Sequence, residues 1–338
     1  MPNPNRRHLQ LALTSLAFVG VRARAQTSLE RTPPADRQVG IAYSAWHDRL
    51  PWAKTWDVPE LGPYLSNDGE VIAQHAAWLS DANVDFIYVD WSNNLNTGVP
   101  GKPDQPRQRF IESATGTLFD VYARLPRHPK IALMIGFPGE AAGLEDGRLK
   151  RKADQVWTEF AANPAYQSLC FHYLGHPLLL VYVGTPSPFG AGPPSWLDPR
   201  FTVRFMTGFV SQQPGLLAPG SVSRFGYWSW EDRGAPTVAV YRGQAEAMTI
   251  VAAWRGDGRN GIPPQGRRNG QTFIESWSRA RRIGPRFALA GTFNEWANPS
   301  EEPSAEVSKD LEPSRIFGRK YLDILKTEAA AFKAGIDR

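Results

Sequence analysis

The sequence predicts a single-domain (β/α)8 TIM barrel of the α/β class, on three observations. Eight short apolar runs without helical charge spacing recur between residues 39 and 292. Segments with apolar residues at helical spacing separate several of these runs, and most of the runs end in a polar cluster rich in Trp, Asp and Glu. In a parallel barrel the carboxyl ends of the strands form the functional face, so this clustering is what such a fold would show. A doubly wound parallel sheet is the alternative the same alternation allows.

The elements follow in order. Val39 to Trp46 reads as strand one and leads into His47-Asp48 and a long loop carrying Trp52 and Trp56. Asn67 with Glu70 forms a capping box for a helix in which Val71, Ile72, His75, Trp78 and Leu79 share a face. Strand two, Val84 to Val89, ends in Asp90-Trp91, and a helix with Phe110, Ile111, Leu118, Phe119 and Val121 leads to strand three, Ile131 to Phe137. A third helix spans Leu149 to Ala162 and stops at Asn163-Pro164. Strands four to seven are Pro177 to Val183, Phe201 to Phe209, Phe225 to Trp230 and Met248 to Trp254. The helices between strands four and seven are weakly written, with high Pro and Gly content. Phe273, Ile274, Trp277 and Ile283 line one face of a later helix, strand eight runs from Arg286 into Asn294-Glu295-Trp296, and a last helix begins after Pro313-Ser314.

Arg6-Arg7, the apolar run Leu9 to Val21 and Ala23-Arg24-Ala25 have the pattern of an export signal over residues 1–25, by the general secretory or the twin-arginine route. Residues 26–38 read as a loose, proline-containing lead-in, and 39–338 as the barrel domain. The expected location is periplasmic or extracellular. Removing four arginines with the signal leaves 34 basic against 33 acidic residues, so the basic balance carries no argument for nucleic acid. No later apolar run reaches the ~18 residues of a membrane span, so no membrane partner is expected either. Cys170 is the only cysteine and sits between Leu169 and Phe171, which reads as a buried hydrophobe in a chain without a disulfide.

The chemistry is concentrated at the strand ends. Tryptophans beside carboxylates on one rim suit a carbohydrate, because flat aromatic faces stack on pyranose rings while a pair of carboxyl groups flanks the scissile bond. Glu295 follows its strand directly between Phe293 and Trp296, which would reduce its hydration, and is the first catalytic candidate. Asp90, then Glu231, then Glu302 are the candidates for its partner. Tyr43, Trp46, His47, Trp91, Trp230, Trp254, Arg255, Asn294 and Trp296 are expected to bind substrate. The histidines show no metal-ligand spacing, and no phosphate loop or Gly-x-Ser-x-Gly elbow occurs, so neither metal nor other cofactor is expected.

Phe293-Asn294-Glu295-Trp296, preceded by Gly284-Pro285 and followed by Leu311-Glu312-Pro313, resembles the last strand and loop of the glycoside hydrolase family 99 endo-α-mannosidase-like clan, with relatives in family 71. Tyr43-Ser44-Ala45-Trp46 is similar to that group's first strand. The resemblance implies a (β/α)8 barrel, metal-independent hydrolysis of a glycan, and Glu295 at the place of the first of two family glutamates. The second lies three positions on, where this chain has Asn298, and the acid-rich segment 298–310 stands before Leu311. The partner carboxylate is therefore open, with Glu301, Glu302 and Glu306 in reach, and mannosidase specificity does not carry over. The expected function is an exported monomeric glycoside hydrolase acting on a polysaccharide or glycoconjugate. The alternative is a barrel that binds glycan without cleaving it.

Overall fold

The computed structural model describes residues 29–337 apart from 53, 103–104, 137–141, 185–191, 234–235, 257–261 and 297–303. The first half alternates strand and helix: β1 (Gln38–Tyr43), α1 (Gly69–Asp81), β2 (Phe86–Trp91), α2 (Pro106–Tyr122), β3 (Lys130–Gly136), the single turn α3 (Ala142–Glu145) and α4 (Arg148–Val156). Asp68, not Asn67, caps α1, its Oδ1 accepting from the backbone of Glu70 at 2.9 Å and Val71 at 3.4 Å. The helix expected to run to Ala162 changes at Val156 into a π turn, Trp157–Ala161.

The middle is built from strands and short turns: β4 (His172–Tyr173), β5 (His176–Tyr182), β6 (Thr202–Thr207), β7 (Leu217–Ala218), β8 (Val222–Ser223), β9 (Trp228–Ser229), β10 (Val238–Tyr241) and β11 (Gln244–Ile250). The chain closes with α5 (Gln271–Ile283), β12 (Phe287–Thr292) and α6 (Lys320–Ala334). Among the described residues the only helical elements between β6 and β9 are single turns of 3-10 helix, where Pro and Gly break the helical pattern.

The strands form one curled, mostly parallel sheet. β11, β12, β1, β2, β3, β5, β6 and β9 pair in that order, each neighbour parallel. β9 has two residues, and β10 pairs antiparallel with β11 on the edge a closed barrel would offer to β9. β9 and β11 meet instead through the Thr249 hydroxyl, which donates to the Ser229 carbonyl. The arrangement is TIM-barrel-like, with a side-chain bond where a ladder would complete a barrel.

Strand alternation divides the apolar side chains between two cores. Phe86, Tyr88, Ala132, Met134, Leu178, Leu180, Trp228, Phe287 and Leu289 fill the inside of the curl. Ile41, Tyr43, Ile87, Val89, Trp91, Leu179, Val181 and Ile250 face outward into the layer shared with the helices, where Trp277 and Phe332 are fully buried. The described part of the lead-in is tied down rather than loose. Thr32 N donates to Gly284 O at 2.8 Å, and the buried Arg37 guanidinium donates to Thr32 O and Phe332 O at 3.0 and 2.9 Å. Cys170 is buried, as its neighbours imply.

Candidate active site

The end of β12 is held by its own side chains. Asn294 copies a backbone pairing with β1: its Oδ1 accepts from Ser44 N at 2.8 Å and its Nδ2 donates to Ser44 O at 3.0 Å. The buried His47, stacked on Trp52 at 3.9 Å, donates through Nε2 to Asn294 O at 3.0 Å. Burial lowers the His47 pKa to about 4, so the ring is neutral at pH 7. Asp310 clamps the turn: it accepts from Glu295 N at 2.6 Å and Trp296 N at 3.1 Å, and from the hydroxyls of Thr292 at 2.8 Å and Ser308 at 2.6 Å. Burial first, then the charge of Glu295, raises the Asp310 pKa to about 6. Beneath it, Glu312 is fully enclosed and accepts from Tyr64 OH at 3.0 Å, His75 Nε2 at 2.9 Å and the Trp296 indole N–H.

This scaffold leaves the Glu295 side chain 23 % exposed at the mouth of the curl. The Lys309 ammonium lies 3.3 Å from Glu295 Oε2 and 2.9 Å from Glu231 Oε2, and rests over the Trp230 ring at 5.2 Å. Arg233 Nε donates to the other Glu231 oxygen at 3.0 Å. Burial alone would raise the Glu231 pKa, but Lys309 and Arg233 outweigh it and hold it below the usual carboxylate range. Lys309 is largely but not fully buried, its side chain 14 % exposed, yet Glu231 and Glu295 keep its pKa above that of an ordinary lysine.

Asp90 is in phase with the inward-facing Phe86 and Tyr88 on β2, which brings it to the same mouth. Its Oδ1 accepts from Ser92 N at 2.7 Å. Burial raises its pKa, the nearby Glu295 charge adds to the rise, and the Ser92 bonds and Lys309 oppose it. Tyr182 ends β5 on the same face, its pKa pushed up to about 12 by burial and then by the charge of Asp90. Trp56, Trp254 and Arg255 complete a narrow cleft of about 20 Å³ with Glu231, Glu295 and Lys309, the Arg255 guanidinium lying over Trp56 at 5.6 Å. Gly136 lets the strand ends converge, because a Cβ there would come within 2.6 Å of Ser92 O and 2.8 Å of Tyr182 O.

Of the expected site residues, Glu295, Asp90, Glu231, Trp230, Trp254 and Arg255 meet in this cluster. Five others are structural. Tyr43 faces outward and its hydroxyl donates to His75 Nδ1 at 2.9 Å. Trp91 is out of phase with Asp90, fully buried, and donates to Thr115 Oγ1 at 2.9 Å. His47, Asn294 and Trp296 are buried in the bonds that hold the Glu295 turn, so they support the site without facing a ligand. Trp46 is half-buried against the outer core, edge-on to His47. Phe293 and Trp296 are both buried, so the immediate neighbour of the Glu295 carboxylate is Lys309 rather than their rings. Glu302, with Glu301 and Asn298, lies outside the described residues, and the exposed Glu306 accepts from Arg268 N at 2.9 Å. Sequence reading missed Lys309, Asp310, Arg233, Trp56 and Tyr182. Only Tyr182 carried a usable signal, its even phase with Leu178 and Leu180.

No family model and no curated protein matches the chain. Solved structures do. The GH99 endo-alpha-mannosidase from Bacteroides thetaiotaomicron superposes with a TM-score of 0.60 at 15 % identity, over 90 % of this chain and 99 % of that one. A glycoside hydrolase-like protein superposes with a TM-score of 0.53 at 14 % identity, over 92 % of this chain and 97 % of that one. The resemblance read from the two ends of the domain is thus matched by a shared fold over nearly the whole length. Among the described residues no helix is long and apolar enough to cross a membrane.

Proposed function

We propose that the protein is an exported, monomeric, metal-independent glycoside hydrolase whose strands act as a (β/α)8 barrel, with its active site at the strand-end cleft. The observation that carries this reading is the gathering of Asp90, Glu231 and Glu295 around one ammonium, between Trp56, Trp230 and Trp254. Carboxyl groups in unlike environments divide the roles of acid and base. Asp90, whose pKa is raised by burial, is the proton donor to the leaving oxygen. Glu295, open to the cleft, is the base, nucleophile or assisting carboxylate. Glu231, paired with two cations, holds Lys309 in place. The tryptophans stack the sugar rings, and Trp254 and Arg255 bind at the cleft wall. No sugar is assigned, since the fold similarity and Asn298 do not carry a mannoside preference.

A specific observation favours the non-cleaving alternative. Lys309 touches both Glu231 and Glu295, which would neutralise the carboxylates of a disused site. Turnover on a panel of neutral and acidic polysaccharides decides between the two. Product from the wild type, reduced ~100-fold or more in Glu295→Gln and in Asp90→Asn with binding retained, supports the hydrolase. Binding by all three proteins with no product from any of them would favour the glycan-binding barrel.

A further inference from the structure

A second cleft, of about 790 Å³, lies on the outer wall between α2 and α4, away from the carboxylates of the first. Its volume falls within the range of small-ligand sites. Four cationic side chains line it, Arg109, Arg148, Arg151 and Lys152, against the two carboxylates Glu112 and Glu159, and Arg148 is paired with a third, Asp146, at 2.6 Å. One wall is a built polar network. The Lys152 ammonium is buried, donates to Glu112 Oε1 and Gln155 Oε1 at 2.7 Å each, and lies over the Trp91 ring at 5.7 Å. Glu112 also accepts from Asn94 Nδ2 at 3.1 Å and Gln155 Nε2 at 3.0 Å, which absorbs its charge. Burial raises the Glu159 pKa, and a hydrogen bond from Gln155 opposes the rise. Arg109 and Arg151 are exposed on the two helices that flank the opening. The excess charge there is positive, and the Tyr166 ring is half-buried in the lining.

We infer that this cleft is a second carbohydrate site that takes a saccharide bearing oxyanions, carboxylate or sulfate. The inference rests on the glycan reading above and narrows it to an acidic chain. Two guanidinium groups set across a cleft match such oxyanions in bidentate geometry. The cleft also adjoins the catalytic end, because Leu95, Thr97 and Val99 of its wall belong to the segment that leaves the carboxyl end of β2, five residues or more beyond Asp90. A glycan held there has its distal part anchored while another part enters the active cleft, which adds effective concentration without new chemistry.

Calorimetric titration with a tetrasaccharide of galacturonic acid, its neutral galactose counterpart and inorganic phosphate tests this without relying on turnover. The expected result is binding of the acidic tetrasaccharide alone, weakened by salt and reduced at least ~10-fold in Arg109→Gln/Arg151→Gln, but unchanged in Glu295→Gln. Both arginines are exposed, so the double variant keeps its fold, which circular dichroism checks. Equal binding of the double variant, binding of phosphate as tight as that of the tetrasaccharide, or no binding of the acidic chain would each overturn the inference. Turnover of a neutral glycan with none of this binding would overturn it while leaving the hydrolase reading intact.

Discussion

Lys309 stands between Glu231 and Glu295, and its removal reaches both. Breaking one partner out of a buried ion cluster leaves uncompensated charge and typically loses ~3 to 5 kcal/mol. Lys309→Met is therefore expected to lower stability by about that amount and to reduce turnover, read by chemical denaturation and by kcat. Lys309→Arg, which keeps the charge, should recover most of the stability. Recovery of stability without turnover would show that the position of the ammonium, and not only its charge, serves the chemistry. Asp90 and Trp91 make the related point that neighbours on a strand serve opposite cores: one reaches the cleft, the other the helix layer.

At the scale of elements, the site depends on how strand ends are pinned. Asn294 ties β12 to β1 by two bonds to Ser44, and both Ser44 groups lose their partner in Asn294→Ala. Unpaired buried polar groups are expensive, so this variant should lose ~2 to 4 kcal/mol by urea unfolding and drop kcat more than KM changes, since the Glu295 turn is displaced. Gly136→Ala presses a methyl against the carbonyls of Ser92 and Tyr182. It is expected to destabilise by ~1 to 3 kcal/mol, with turnover falling in parallel because Asp90 and Tyr182 stand beside those carbonyls. A neutral result in thermal unfolding would mean the strand ends can yield.

For the molecule as a whole, two buried groups set opposite pH dependences. Asp310 has its pKa raised from 3.8 to about 6, so its contribution is present below pH 4 and is lost as pH rises through 6. His47 has its pKa lowered from 6.5 to about 4, so its contribution is present above pH 6.5 and is lost as pH falls through 4. Each spans on the order of 3 kcal/mol, and between pH 4 and 6 they nearly cancel. Asp310→Asn should unmask His47: unfolding free energy measured from pH 7 to 4 is expected to fall more steeply in the variant than in the wild type. Parallel curves would remove Asp310 from this role.

Much of the architecture was legible before any coordinates, because hydrophobic periodicity is local. The eight apolar runs correspond to β1, β2, β3, β5, β6, β9, β11 and β12, and the resemblance at the two ends of the domain matches the fold of a GH99 enzyme. Glu295 and Asp90 were legible too, since each follows or ends a strand whose carboxyl end faces the cleft. The roles of their neighbours were not. Tyr43, Trp91, Asn294 and Trp296 carry the residue types of a sugar site, yet strand phase and the bonds across β1 and β12 turn them into the core. Lys309 lies 78 residues from Glu231 in the chain and is brought to it only by the return of the segment after β12. Charge pairing across that separation, and the short β9 that leaves the sheet to close by a side chain, are properties of packing. Local pattern fixes which face a strand has, while only the assembled sheet decides what that face meets.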